Sequence, residues 1–302
     1  FFRGFREVIG VAVVLVTVYL ILNAIILISG IHYIIQNPDL ISNWQHNVST
    51  GQCEIENPFK GNSIWIILAV CLLYFPRLAL GLSGFETGLM VMPLIKGDPD
   101  DTEENPKGRI RNTRKLLVTA AVIMSIFLLG STVVTTLIIP SEQLLKPTEN
   151  EKKLLTPEQI KERGKAAGRA LAYIAHGQPG TENVNPLFGE IFGTMYDLSS
   201  IVILWFAGAS AMAGLLNLIP QYLPRYGMAP GWAQATKPLI IVFTVINLGV
   251  TWLFEADVEG QSGAYATGVL VFLSSGCIAT LIERGKATKE GKAGKPLTWF
   301  FG

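Results

Sequence analysis

The sequence predicts an all-α membrane protein, a polytopic helical bundle with about six membrane-spanning segments. Of its 302 residues, 50% are hydrophobic and only 16% are charged, and the mean hydropathy is +0.41. Soluble domains usually carry about 25% charged residues. The chain also holds several stretches of about 20 apolar residues, the length that a helix needs to cross a bilayer. The lipid bilayer is therefore the first partner that the sequence predicts.

Composition argues against several other classes of protein. A net charge of +1 gives no reason to expect a nucleic-acid partner. The three cysteines and three histidines are scattered along the chain, so we expect neither a disulfide framework nor a metal site. We find no nucleophile–base pairing and no phosphate-binding loop, and we therefore expect no enzyme activity and no cofactor.

The apolar segments define one transmembrane domain over residues 1–302. The predicted spans are 8–35, 63–95, 116–139, 198–219, 238–255 and 263–282. The second region has 33 residues, whereas two full spans would need about 40 residues and a turn. We therefore interpret this region as one span that is interrupted near 81–88.

Loop charges predict the orientation, because Lys and Arg concentrate in cytoplasmic loops. With the N-terminus in the cytoplasm, the predicted inside loops hold fifteen Lys and Arg residues, and the short outside loops hold only Lys60. Residues 284–295 are then cytoplasmic. Splitting the region 63–95 into two spans would place the later spans against this rule.

Residues 140–196 are predicted to form an extracytoplasmic loop with a helix of its own at about 157–176. Thr156 suits the cap, Pro157 the first helical position and Gln159 the reciprocal position of a capping box. Gly177 suits the end of the helix. We expect a surface element over the outer mouth of the bundle.

The most informative stretch is Gly81 to Gly88, which contains Glu86 and three glycines. Glycine weakens a helix by about 1 kcal/mol relative to alanine. Arg77 and Lys96 lie at about 13–15 Å from Glu86 along a helix, so Glu86 is expected near the middle of the membrane. A carboxylate at that depth is costly, and a broken helix there is typical of transporters. We therefore predict a substrate site formed by Ser83, Gly84, Phe85, Glu86 and Thr87.

Packing alone explains the same features in a second interpretation. Glu86 could be a neutral carboxyl that ties helices together. The small residues of the fourth span favour close helix packing, although Ala209 and Ser210 could also offer oxygen atoms to a cation. Tyr265 and Thr267 could line a polar pathway. Lone polar residues such as Asn23 are expected to bridge helices.

Three motifs resemble a known family. Ser83-Gly84-Phe85-Glu86, followed by Pro93 and the basic run 105–111, is similar to the sixth helix and following loop of APC-superfamily permeases (amino acid–polyamine–organocation). The run 222–230 resembles the exit of the family's eighth helix. Residues 263–268 resemble a region of KUP-type potassium uptake proteins.

The resemblance implies part of the five-plus-five inverted-repeat fold, with this chain covering helices five to ten. It implies that Ser83, Gly84, Phe85 and Glu86 contact the substrate, and that Ala209 and Ser210 bind sodium in those members that use it. The coupling ion would be H⁺ or Na⁺. The chain is then expected to be a fragment whose partner helices precede Phe1.

The resulting hypothesis is a cell-membrane secondary transporter that moves an amino acid together with a proton by alternating access around Glu86. The first alternative keeps the fold and changes the cargo to potassium. The second alternative is a membrane scaffold that transports nothing, in which the helix breaks are packing features.

Overall fold

The computed structural model describes residues 5–50, 64–74, 95–102, 106–144, 156–222 and 235–289, and within these ranges all regular structure is helical. The helices are α1 (Phe5–Gln36), α2 (Asp39–Thr50), α3 (Ile64–Tyr74), α4 (Lys107–Ile138), α5 (Ser141–Leu144), α6 (Pro157–Glu162), α7 (Ala170–Ala175), α8 (Glu190–Tyr222), α9 (Thr236–Leu253) and α10 (Val258–Lys289).

Four of the described helices are long and apolar enough to cross a membrane. Their candidate spans are Gly10–Gln36, Lys107–Ile138, Glu190–Leu216 and Gly260–Ile282. Large apolar side chains on these helices are exposed, as Trp205 at 73% and Leu129 at 67% illustrate. In water such surfaces would be unfavourable, whereas lipid tails are as apolar as the side chains themselves. The chain thus has the architecture of a helical membrane protein.

The helices extend beyond the apolar runs that define the predicted spans. Helix α4 begins at Lys107 rather than near Leu116, and α8 begins at Glu190 rather than at Leu198. Hydropathy marks only the part of a helix that lies in hydrocarbon, while its backbone hydrogen bonds continue through the polar interface. The shorter helix α9 has 18 residues, and α3 is an 11-residue helix at the start of the second apolar region.

The segment predicted as one helix over 157–176 differs from the structure, which has the two short helices α6 and α7. The capping box is present at Thr156 and Gln159, but α6 ends at Glu162. Gly164 and Gly168 then take positive φ angles of 69° and 72°, which interrupt the helix. Helix α7 is also more deeply packed than a surface element, because Ile174 is fully buried.

Helices α1 and α4 run in the same direction and pack closely through glycines. Gly130 lies against Leu27, and Gly30 lies against Val134, so both helices advance together along the contact. Ile26 and Val134 are completely buried there. Small residues at such crossings let two backbones approach closely in a membrane.

Helix α8 runs in the opposite direction to α1. Asn185, just before α8, donates a hydrogen bond from Nδ2 to the Ser29 hydroxyl at 2.7 Å. Farther along, the Tyr196 hydroxyl donates to Asn23 Oδ1 at 3.3 Å. Later residues of α8 therefore meet earlier residues of α1. The end of α8 then packs against the beginning of α9 through Leu216 and Leu239.

The connection from α9 to α10 is a tight turn with an unusual backbone. Glu255 and Ala256 have φ angles of 52° and 59°, although neither residue is glycine. The left-handed conformation costs such residues about 1–2 kcal/mol each. The Ala256 amide donates to the Thr251 carbonyl at 2.8 Å, which closes the end of α9 and partly offsets this strain.

Candidate functional site

The predicted substrate segment, Ser83 to Thr87 with Glu86 at its centre, lies outside the described residues. Its described neighbours along the chain are α3, which ends at Tyr74, and the loop 95–102 that leads towards α4. This loop is the described segment that lies nearest to Ser83–Thr87 along the chain.

The loop folds back on the start of α4 through the carboxylate of Asp101. Asp101 Oδ1 accepts a hydrogen bond from the Gly108 amide at 2.8 Å, and Oδ2 accepts from the Arg109 amide at 2.7 Å and from the Asp98 amide at 3.2 Å. The first amides of a helix have no partners within the helix, and a negative charge there is favourable. The Gly108 amide is the largest cause of a lowered Asp101 pKa, followed among the stabilising contacts by the amides of Arg109 and Asp98.

Two further contacts hold the same loop. Arg111 donates from one guanidinium nitrogen to both oxygens of Asp98, at 3.0 and 2.9 Å. Asn112 donates to the Lys96 carbonyl at 3.0 Å. An added Cβ at Gly108 would lie 2.5 Å from both the amide nitrogen and Cγ of Asp98. Glycine is therefore needed at this position for the loop to sit against the helix.

Asp101→Ala should destabilise the protein more than Asp101→Asn, because asparagine keeps one acceptor while alanine removes both. The lowered pKa means that the folded form holds its proton less tightly than the unfolded chain. The charge thus stabilises the fold fully above the ordinary pKa of 3.8, and this stabilisation is lost as the pH falls through the lowered value. Thermal unfolding in detergent at pH 7 and pH 3 should show the difference from wild type shrinking at the lower pH. Asp100→Asn, at an exposed neighbouring carboxylate, is the control, and an equal loss in that variant would contradict the assignment.

A polar contact lies between the membrane helices α1 and α8. Asn23 is 4% exposed, accepts from Tyr196 and donates from Nδ2 to the Tyr19 carbonyl at 2.7 Å. The Tyr19 and Tyr196 rings pack with their centroids 6.4 Å apart. The prediction that Asn23 bridges helices is confirmed by the Tyr196 bond.

At the next residue of α8, a second polar contact fixes the segment that precedes the helix. His176 donates from Nε2 to Asp197 Oδ2 at 2.9 Å. Its ring lies directly over Gly193, where an added Cβ would overlap with Cγ, Nδ1 and Cδ2 of the imidazole. Gly193 and Asp197 are four residues apart and so share one face of α8. The segment after α7 is thereby attached to α8.

The residues predicted for a cation site and a polar pathway take no part in the contacts described above. Ala209 and Ser210 are exposed on α8, and the Ser210 hydroxyl donates to the Ala207 carbonyl of its own helix at 2.8 Å. Thr267 is exposed on α10 and donates to the Gly263 carbonyl at 2.9 Å, while Tyr265 is half-buried. The hydrogen bonds of Ser210 and Thr267 therefore stay within their own helices.

Side chains that could bind a metal ion are scattered in the part of the chain that the structure describes. No group of three or more His, Cys, Asp or Glu side chains there is close enough to hold a metal ion. Cys71 and Cys277 are free thiols on exposed positions.

His176, Asp197 and Gly193 were missed by the sequence interpretation. Asp197 precedes the apolar run, so it lay at the edge of the predicted span and gave no indication of a contact with another segment. A histidine next to Gly177, at the predicted end of a helix, was the one available signal.

Comparison with known proteins gives no relative from which to transfer a function: no family model, no curated protein and no solved structure matches the chain. Its function has to be inferred from its own residues and from the way its helices pack.

Proposed function

We propose that the chain belongs to a secondary active transporter of the kind found in the APC superfamily, moving an amino acid together with a proton. In this proposal Glu86 lies in an interrupted helix, where its carboxylate and the free backbone groups around it hold the substrate or the proton. Ala209 and Ser210 are the corresponding candidates for a cation site, and the bilayer of the cell membrane is the setting.

The parallel direction of α1 and α4 supports the order of spans on which this proposal rests. Two membrane-spanning helices that run the same way must be joined by a chain that crosses the membrane an odd number of times. The segment between Gln36 and Lys107 contains one apolar region, 63–95, and its 33 residues suffice for one crossing. This supports a single crossing that includes Glu86, since two crossings would require α1 and α4 to be antiparallel.

The rest of the packing agrees with the same topology. Helix α8 is antiparallel to α1, and the end of α8 meets the beginning of α9. The segment 156–189 is part of the connection from α4 to α8 and packs at one end of the α1–α4–α8 group, where Tyr173 and Phe188 belong to the same core as Val134. The proposed order of spans requires that this segment stay on one side of the membrane. It also requires that successive spans alternate in direction.

Uptake measurements test the role of Glu86. In cells that produce the full-length protein, Glu86→Gln should abolish uptake of a labelled amino acid and the accompanying proton flux, while the variant still inserts in the membrane. Glutamine keeps the shape of the side chain and removes its charge and proton. Glu255→Gln, in the turn between α9 and α10, is the matched control and should transport normally.

Each alternative has a distinct outcome in the same cells. Normal uptake by Glu86→Gln would contradict a transport role for this carboxylate. Rescue of a potassium-uptake-deficient strain, with no amino-acid uptake, would favour the potassium transporter that residues 263–268 resemble. If the wild type moves neither cargo, the scaffold interpretation is preferred.

A further inference from the structure

Helix α2 follows directly on a membrane span but is itself too short to cross. The candidate span in α1 ends at Gln36, and α2 begins at Asp39. Twelve residues make a helix of about 18 Å, whereas the hydrocarbon core is about 30 Å thick. The intervening Asn37 and Pro38 span at most about 10 Å, so α2 begins close to the end of the candidate span in α1.

The turn between the two helices is well defined. The Asn37 amide side chain donates to the Tyr33 carbonyl at 2.9 Å, and the Leu40 amide donates to the Asn37 carbonyl at 3.1 Å. Pro38 cannot continue α1, because it lacks an amide hydrogen. The Leu40 side chain then packs against the core formed by α1, α4 and α7. These contacts fix the beginning of α2 against the end of the membrane-spanning group.

Beyond Leu40, the apolar side chains described for α2 are exposed. Leu40, Ile41 and Trp44 fall within an arc of about 100° around the helix. Ile41 is 47% exposed and Trp44 is 43% exposed. The polar side chains that the structure describes on α2 occupy the rest of the circumference and are exposed; they are Asp39, Ser42, Asn43, Gln45 and His46.

We propose that α2 lies in the membrane interface, with Ile41 and Trp44 inserted among the lipids where α1 ends. Tryptophan is enriched at this level, because its ring is apolar while its N–H can still reach water or headgroups. An amphipathic helix of this kind buries its apolar side at the boundary between headgroups and acyl chains. The occupant of the exposed face is therefore lipid, continuous with the lipid that surrounds α1.

The charge of α2 indicates whether its attachment depends on lipid headgroups or on apolar contacts. Helix α2 contains no Lys or Arg, and Asp39 is its one acidic residue. Interfacial helices that depend on anionic headgroups carry basic side chains on their polar face. Helix α2 lacks them, so its attachment depends on the apolar side chains and not on lipid charge.

Spin labels at matched positions test the proposal in the reconstituted chain. Ile41→Cys, Trp44→Cys and Ser42→Cys are each made in a background where Cys53, Cys71 and Cys277 are replaced by serine. In phosphatidylcholine vesicles, labels at 41 and 44 should collide more with oxygen than with a water-soluble nickel chelate. The label at 42, on the opposite side of α2, should show the reverse preference. Circular dichroism checks that each variant keeps its helix content.

Two other outcomes would overturn the proposal. Preference for the nickel chelate at both 41 and 44 would mean that this face lies in water. Protection of both labels from oxygen and nickel alike would mean that another part of the protein covers the face. Adding anionic phosphatidylglycerol should leave the three labels unchanged, and a deeper position on anionic vesicles would contradict insertion through apolar contacts alone.

Discussion

Gly30→Ala should lower the free energy of unfolding by about 1–3 kcal/mol, the range for overpacking a close contact. The new Cβ would lie 2.5 and 2.9 Å from the two γ carbons of Val134 and 3.3 Å from its Cβ. Valine has few accessible χ1 rotamers in a helix, so it cannot turn both methyl groups away. Because Val134 is completely buried, α1 and α4 would have to separate. Thermal or denaturant unfolding in detergent micelles measures the loss.

Two further variants isolate the contact from the general effect of adding a methyl group to a helix. Gly10→Ala lies in the same helix with no atom within 4 Å of the new Cβ, and it should be neutral or slightly stabilising. Val134→Ala combined with Gly30→Ala should recover part of the lost stability, because the colliding methyl groups are gone. Equal destabilisation by Gly10→Ala, or no recovery in the double variant, would show that the crossing does not depend on this contact.

Glycine at this crossing also bears on function. The chain that connects α1 to α4 contains Glu86, so a change in how these two helices pack would move both ends of that connection. The reciprocal contact of Gly130 with Leu27 Cδ1, at 3.2 Å, is less severe, because leucine can rotate its terminal methyl groups. We therefore expect Gly130→Ala to be milder than Gly30→Ala, which would rank the two sides of the same contact.

The sequence predicted those parts of the fold that depend on local composition. Apolar runs located the long helices, since a bilayer selects for length and hydropathy. The capping box at Thr156 and Gln159 was recognised because its residues lie three positions apart. Asn23 was identified as a helix bridge because a lone amide in hydrocarbon needs a partner. Each of these features is decided within one helix or its immediate flank.

Contacts between distant segments were harder to predict. The sequence favours close packing by the small residues of α8, and Ala213 is indeed buried, whereas Gly208 has no atom within 4 Å of an added Cβ. Close approaches of an added Cβ to a neighbouring helix occur at Gly30 and Gly130. Single glycines in runs of Leu and Val carry no local signal, because the neighbouring helix decides their role. The start of α4 at Lys107 was likewise missed, since its first residues are basic rather than apolar.

The same difference between local features and distant contacts applies to the candidate site. A glutamate among glycines in an apolar region is conspicuous in the sequence, and the substrate role of Glu86 stays a prediction. The contact between His176 and Asp197 joins residues that are 21 positions apart in the sequence. His176 directly follows α7, and Asp197 lies at the edge of a predicted span. Neither residue is unusual in its local context, so only the packing of α7 against α8 could identify the pair.

Gly193→Ala should release the segment that leads into α8 and lower stability by about 1–3 kcal/mol. The added methyl group would occupy the space of the His176 ring. The overlap includes Cγ, which lies close to the backbone, so the ring is harder to displace than the end of a long flexible side chain. Moving the ring breaks its 2.9 Å bond to Asp197. Hydrogen exchange of residues 163–189 should therefore increase, while exchange in α1 and α4 stays nearly unchanged.

A double-mutant cycle shows whether the effect passes through His176. His176→Ala removes both the ring that collides and the bond to Asp197, so it should be destabilising alone. Added to Gly193→Ala, it should cause little further loss, because the two variants disrupt the same contact. Gly208→Ala, in the same helix with open space around its Cβ, is the matched control. If the two losses simply add, Gly193 acts on something other than this ring, and the attachment of the segment to α8 must depend mainly on the Asn185–Ser29 bond and the buried side chains of α7.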